Sequence, residues 1–471
     1  MSVCKYALGL QTIAKKKEAI LKAKTAVFNK KVFEQNEQAF SFLPLSPLPE
    51  KITDKSVANK MSVLEAHKLI LESGMPNYAG LQIPVHSPLN SEKFQKYLEN
   101  YWDWQLPLFI KFGFPLDIDH DIELKSDPIN HKSATQFPSH VTHYIAEEKS
   151  FNAIIGPFKD PPIQLHTSPF LTREKSNSEH RRVIVDLSWP LNNAVNTHVR
   201  SDNYMGVDFA LTLPSIDSVT QAVKKFGKNC HIAKIDISRA YKHVPIDPRD
   251  IKFLGLFWED YFIELNLCFG YKNGAALFQR LSDSVRFIMK QEGHYIQNYS
   301  DDHLCLGKAS DCRKAFDRLN VLLPELGFQI SDHKTVKRCT EVICLGILIN
   351  TEKLTVSVPS EKLKDIKKVC QSWSNIKTCN KRQLQSLLGS LLYITKRVKF
   401  SRGFLNRLLQ LLRSNHSKKI IKITHEAKKD ISWFNAFLDQ FNGTSFFKKE
   451  KNARHCLSGC LSYWFRGGAL Q

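Results

Sequence analysis

The sequence predicts an α+β protein, and three observations carry that reading. Between about residues 140 and 350, short strand-like runs alternate with helical stretches. Residues 356–440 then turn strongly helical. Hydrophobic residues make up 42% of a 471-residue chain, so it can fold and bury several cores.

The N-terminal part, residues 1–135, reads as a helical extension with a linker. Over residues 5–35, Ile13, Ile20 and Val27 recur every seven residues with Leu21 and Phe28 beside them and lysines elsewhere. That is a basic amphipathic helix. It could pack on the main body, or serve as a nucleic-acid arm or partner helix. Pro44, Pro47 and Pro49 mark a linker. A helix around Val63–Glu72 ends near Gly74 and Pro76, and residues 77–94 read as loop. Phe94–Phe112 reads as one aromatic-rich helix stopped by Gly113 and Pro115.

The chemistry-bearing residues lie in the middle region. Ala233-Lys234-Ile235-Asp236 is a short apolar strand ending in one acid, which can project into a cleft or cap the turn that follows. Cys268 to Arg280 opens with Gly and Asn and becomes helical. Ala275, Phe278, Leu281, Val285 and Ile288 fall at spacings of three and four, giving one apolar face. Gly270 and Gly274 would let backbone approach a ligand closely. Most informative is Asn298-Tyr299-Ser300-Asp301-Asp302, a polar turn between the short strands Tyr295–Tyr299 and His303–Leu306. Adjacent carboxylates repel, and neither can retreat into a core without a cation. A pair held out by a hairpin is what a two-metal phosphoryl-transfer site needs.

Downstream, Asn380 with Gln383 forms a capping-box pattern. Leu384, Leu387, Leu388, Leu391 and Leu392 then make a helical stripe, and Lys396, Arg397, Lys399, Arg402, Arg407 and Arg413 follow as a basic face. Lys plus Arg number 67 against 46 acids, a net charge of +21, which suggests a polyanionic partner. The 11 cysteines include no C-x-x-C pair and read as reduced core thiols of an intracellular protein. His455, Cys456 and Cys460 lack a second half at zinc-ligand spacing. No long apolar run could span a membrane, and the N-terminus lacks an apolar signal core. Lys15-Lys16-Lys17 could serve nuclear import or simply be solvated.

An acid-bearing strand, a Gly-rich loop with its helix, and a Tyr-x-Asp-Asp hairpin, in this order, resemble the palm of reverse transcriptases. His180 to Ser188 is similar to that family's fingers strand, Leu326 to Lys334 to its lysine-bearing segment, and Val342 to Ile349 to its primer-grip hairpin. Six ordered motifs thus span roughly residues 150–350. Tyr101-Trp102-Asp103, Phe112 to Leu116, Gly156-Pro157-Phe158 and Arg182 to Pro190 together look like animal retrotransposon polymerases of the DIRS group. Two family prolines are replaced, by Cys268 and Ala275, both near the templating base.

The resemblance implies a right-hand polymerase: fingers and palm over 136–350, the palm an antiparallel sheet with packed helices, and a helical thumb over 351–440. It implies RNA-directed DNA synthesis with magnesium, or manganese in its place, from deoxynucleoside triphosphates on a primed RNA or DNA template. Asp236 and Asp301 would bridge the metals with Asp302 beside them, and the Ile237 carbonyl would be a further ligand. Lys334 would protonate pyrophosphate, and Lys175 and Arg182 would meet the triphosphate. Tyr241 would exclude a 2′-hydroxyl, and Phe269, Gly270 and Gln279 would line the nucleotide and template side. The expected location is the cytoplasm or nucleus. An RNA-dependent RNA polymerase and a non-catalytic nucleic-acid-binding remnant are the alternatives. The family often continues into a ribonuclease H domain. After Asp439 the only acid is Glu450, so residues 441–471 read as a truncated tail without that activity.

Overall fold

A computed structural model describes residues 77–445, except 79–80, 83–84, 120–121, 123, 125–128, 175–180, 202, 206, 209–210, 212, 396 and 415–419. The expected helices at 5–35 and Val63–Glu72, the proline linker, Lys15-Lys16-Lys17 and the tail with His455, Cys456 and Cys460 lie outside these residues.

The central sheet has four antiparallel strands in the order Ile296–Tyr299, Asp302–Gly307, His231–Asp236, Val336–Cys339. Alternation along the strands gives the sheet two different faces. Ile232, Leu304 and Leu306 point into a core shared with Ile216, Val219 and Val223 of the helix Ile216–Phe226. The intervening residues Ala233, His303 and Cys305 meet the helices Gly274–Gln291 and Ala309–Glu325, to which His303 and Cys305 hydrogen-bond. The expected apolar face of the first of these helices is present, with Phe278, Leu281, Val285 and Ile288 all buried.

A second antiparallel sheet runs Glu341–Cys344, Ile347–Asn350, Thr355–Ser357, Thr444–Ser445. Its first hairpin turns through Leu345 and Gly346, both with positive φ, the mirror-image turn that suits twisted strands. Val342, Ile349 and Val356 of this sheet bury into the same core as Leu363, Leu387 and Ile431. Residue 350 is therefore crossed by a continuous sheet and a continuous core. Beyond it come the helices Ser360–Ser374, Lys381–Ile394, Asn406–Ser414 and His425–Phe437. Asn380 and Gln383 form the expected capping box in both directions, at 2.8 and 2.9 Å.

Upstream, Phe170–Glu174 pairs with Arg181–Val185 as a hairpin, and Ile154–Phe158, Asp260–Glu264 and Gly255–Trp258 form a three-stranded sheet. The architecture is α+β, with helices packed on antiparallel sheets, as the sequence predicts.

Three local expectations are corrected. Phe94–Phe112 is two helices, Ser91–Tyr97 and Leu106–Phe112. The break places Asp103 in a buried ion pair with Arg280, and Pro107 opens the second helix, where its missing N–H costs nothing. Residues 77–94 are not all loop: they hold the short strands Asn77–Tyr78 and Leu81–Gln82 and the start of a helix capped by Asn90. In the leucine stripe, Leu384, Leu387, Leu388 and Leu391 are buried, but Leu392 is 45% exposed, one residue round the helix from that face. The basic face is also partly internal. Arg397 is buried against Asp217 at 3.1 Å and Arg407 pairs with Asp430 at 3.1 Å, while Lys399, Arg402 and Arg413 stay exposed. Lys396 lies outside the described residues.

Candidate active site

Strand pairing brings three acids to one end of the central sheet. Asp236, the last residue of its strand, is the direct cross-strand partner of Asp302. Direct antiparallel partners stand about 4.5–5.5 Å apart at Cα and point to the same face. Asp301 sits in the turn between the hairpin strands, after Ser300, whose φ is 52°. Its carbonyl accepts the Ile237 N–H at 2.9 Å, which ties the turn to the end of the Asp236 strand. The Asp236 carbonyl accepts the Ser331 N–H at 2.8 Å, and Ser238 donates to the Gln329 carbonyl at 2.8 Å. Among the described residues no donor bonds the Ile237 carbonyl.

The convergence costs electrostatic energy. Burial pushes the Asp301 carboxyl up, and the Asp236 charge adds to it. Burial likewise pushes Asp302 up, against the hydrogen bond and charge of Lys234 and with the charges of Asp301 and Asp236. Two ammonium groups offset the repulsion. Lys334 Nζ lies 2.9 Å from Asp236 Oδ1, and Lys234 Nζ lies 2.7 Å from Asp302 Oδ1. Among the described residues, no three His, Cys, Asp or Glu side chains are grouped to hold a metal ion, and Asp236 and Asp302 each face a lysine. The donor set itself, acidic and all oxygen, fits a hard divalent cation.

Beneath the turn lies a buried polar brace. Gln279 Oε1 accepts the Ser300 N–H at 2.8 Å, and its Nε2 donates to Asp283 at 2.9 Å. Ser282 donates to the Ser300 carbonyl at 2.9 Å and accepts from Asn298 Nδ2 at 2.9 Å. His303 Nε2 lies 3.1 Å from the same hydroxyl. Since that hydroxyl gives its proton to Ser300, the ring must donate through Nε2. Burial lowers the His303 pKa to about 4, so the ring is neutral at neutral pH. Gln279 is thus a buried support of the turn.

Tyr241 lies in the 3-10 turn Ala240–His243, five residues after Asp236. Its ring stacks on Phe269 at 4.7 Å and leans on Phe278 at 5.9 Å. Burial raises its phenol pKa, with the Asp301 charge adding, so the ring lies within electrostatic reach of the acidic turn. Phe269 is 46% exposed and presents an open aromatic face. A buried ion network, in which Lys242 meets Glu264 at 2.5 Å and Arg239 meets Glu148 at 2.6 Å, clamps the Tyr241 turn to the three-stranded sheet and the helix Pro138–Ser150.

Gly270 lies against a neighbouring strand. Its φ is +118°, and a Cβ there would fall 2.2 Å from the Val185 carbonyl. The close approach seen here is to the hairpin strand Arg181–Val185. Asn196 fastens the same loop by donating to the Gly270 carbonyl at 2.7 Å and accepting the Lys272 N–H at 2.8 Å. Tyr271 bonds the Leu116 carbonyl at 2.7 Å and Asn273 the Arg200 carbonyl at 2.8 Å. These bonds pin the loop without prolines at positions 268 and 275. Arg182 is exposed on its hairpin, opposite Arg173, and Lys175 lies outside the described residues.

Sequence reasoning missed Lys234, the brace and the ion network. Lys234 had a readable signal: in Lys-Ile-Asp on a strand, alternation puts lysine and aspartate on one face. The brace residues carry no such signal, because their partners are set by tertiary packing.

Residues 174–349 match the family described as reverse transcriptase (RNA-dependent DNA polymerase). No curated protein matches the chain significantly. Among solved structures, the chain resembles a foamy viral protease-reverse transcriptase, termed dRH, in complex with double-stranded DNA. The TM-score is 0.56 at 18% identity, covering 81% of this chain and 61% of that one. A foamy viral protease-reverse transcriptase with double-stranded DNA gives 0.54 at 18% identity, covering 78% of this chain and 75% of that one. The same protein with an RNA/DNA hybrid gives 0.54 at 19% identity, over 81% and 46%. At such identities the structures establish the fold, and the first of them is only 61% covered. Fold, ordered motifs and family match coincide over one segment: residues 174–349 match a reverse transcriptase domain.

Proposed function

We propose that this chain is the RNA-directed DNA polymerase of a retrotransposable element of DIRS-like kind, joining deoxynucleotides to a primer 3′-hydroxyl. The observation that carries the reading is the cross-strand pairing of Asp236 with Asp302, with Asp301 in the turn beside them. Asp236, Asp301 and the Ile237 carbonyl would hold magnesium, or manganese in its place, with Asp302 in support. When bound, two such ions lower the pKa of the attacking hydroxyl and neutralise the triphosphate.

The chain's own side chains account for the remaining work. Lys334, 52% exposed, can leave Asp236 and reach the departing pyrophosphate as a protonated donor. Its pKa is raised by the Asp236 hydrogen bond, so it carries that proton at neutral pH. Arg182, with Lys175, would meet the triphosphate. The Tyr241 ring, propped by Phe269 and Phe278, would close the space a 2′-hydroxyl needs. Lys399, Arg402 and Arg413 would track a duplex backbone. Complexes of the foamy viral proteins with double-stranded DNA and an RNA/DNA hybrid support a duplex partner.

The test is primer extension on RNA and DNA templates, each offered ribo- or deoxynucleotides. The reading expects deoxynucleotide incorporation on RNA. Preferential ribonucleotide use would indicate an RNA polymerase. Binding without any extension in magnesium or manganese would indicate a non-catalytic remnant.

A further inference from the structure

The two lysines at the acidic cluster are not equivalent. Lys334 reaches Asp236 from a 3-10 turn, and its side chain is 52% exposed. Asp236 is buried but Lys334 is exposed, so its ammonium can return to water when an entering cation takes over the charge of Asp236. Lys234 belongs to the central strand, opposite Leu304 and two pairs in from the Asp236–Asp302 pair. Lys234 and Asp302 are each only 16% exposed. The Cys344 thiol of the second sheet lies close enough for both charges to act on it. Because the Lys234 ammonium is itself largely enclosed, breaking its pair would strand two charges away from water, so it is the harder of the two lysines to displace.

We propose that Lys234 is a resident counter-ion that keeps Asp302 out of the metal ligand set, dividing the acids into two ligands, Asp236 and Asp301, and one lysine-bound acid. The inference rests on reading the cluster as a divalent-cation site. A cation entering from solvent displaces Lys334 and leaves Lys234 in place. Lys234 then acts as a positioning residue: it fixes Asp302 and weakens cation affinity through its charge.

The experiment titrates the 471-residue chain with Mn2+ alone, without nucleic acid, and follows free aquo-manganese by electron paramagnetic resonance. A dication and a unit charge about 6 Å apart in water interact by about a factor of ten in affinity. Lys234→Met should therefore bind Mn2+ about tenfold more tightly than wild type. Asp302→Asn, which leaves Lys234 unpaired beside the site, should bind about tenfold more weakly. Lys234→Met combined with Asp302→Asn removes a neutral pair and should return close to wild type. Lys234→Arg should keep wild-type affinity. If Lys234→Met does not fold, the neutral double variant and Lys234→Arg still decide the matter. Unchanged affinity in Lys234→Met, or a double variant as weak as Asp301→Asn, overturns the proposal. If wild type binds no Mn2+, or Asp301→Asn binds it normally, the cation-site reading itself fails.

Discussion

Replacing Gln279 by Leu should damage both stability and catalysis without touching a metal ligand. The two side chains have similar size, so the change is mainly polar. The carboxamide accepts the Ser300 N–H at 2.8 Å and donates to Asp283 at 2.9 Å, and the residue is buried. Leucine leaves the Ser300 N–H without its acceptor, at a cost of about 1–3 kcal/mol, and removes one hydrogen bond to a carboxylate. Asp283 keeps Asn298 at 3.0 Å and Arg286 at 3.3 Å, which softens the second loss. The sum is about 2–4 kcal/mol. The same change loosens the turn that carries Asp301, and a shift of about 1 Å at a reacting centre can reduce rate about 100-fold. Urea unfolding measures the first effect, and primer extension at saturating template-primer measures the second. Stability within about 0.5 kcal/mol of wild type with an extension rate within about threefold would refute the bracing argument.

Two further outcomes follow from the geometry. Burial lowers the pKa values of His303 and His243 to about 4, below the ordinary 6.5. The unfolded chain takes up these protons below pH 6.5 and the folded chain resists, so their stability contribution is complete above 6.5 and lost as pH falls towards 4. Each should add a slope of about 1.4 kcal/mol per pH unit in that window. His303→Asn should flatten the measured slope by about one proton, and an unchanged slope would contradict the assignment. Tyr241→Ala should raise ribonucleotide use relative to deoxynucleotide use at least tenfold, as read from matched incorporation efficiencies. An unchanged ratio would make Tyr241 a packing residue of the Phe269 and Phe278 cluster.

The legible parts of the fold were those where local chemistry and tertiary packing agree. Tyr299 to Asp302 announces a hairpin because apolar runs flank a turn too acidic to bury, and the strands form where that pattern puts them. Asn380 and Gln383 act within three residues of each other, so their capping box needed no knowledge of the rest of the chain. Phe94–Phe112 misled because its aromatic periodicity continues through Asp103, whose partner Arg280 lies 177 residues away. Gly270 was legible as a close approach, but what approaches, the Val185 carbonyl, depends on how two loops dock. Lys234 was legible in part, since alternation places it on the face of Asp236, but its pairing with Asp302 and that of Gln279 with Ser300 and Asp283 depend on strand register and helix packing.

The most direct measurement is extension of a primed RNA template with deoxynucleotides and magnesium by wild type and Asp301→Asn, alongside template-primer affinity. The asparagine keeps the shape of the turn and the Asp301 carbonyl that binds the Ile237 N–H, but loses a charged ligand. The account predicts that extension falls at least 1000-fold while affinity stays within about threefold, because exposed basic residues elsewhere supply most of the binding. Extension at near wild-type rate by Asp301→Asn would place the chemistry at another site and contradict the account.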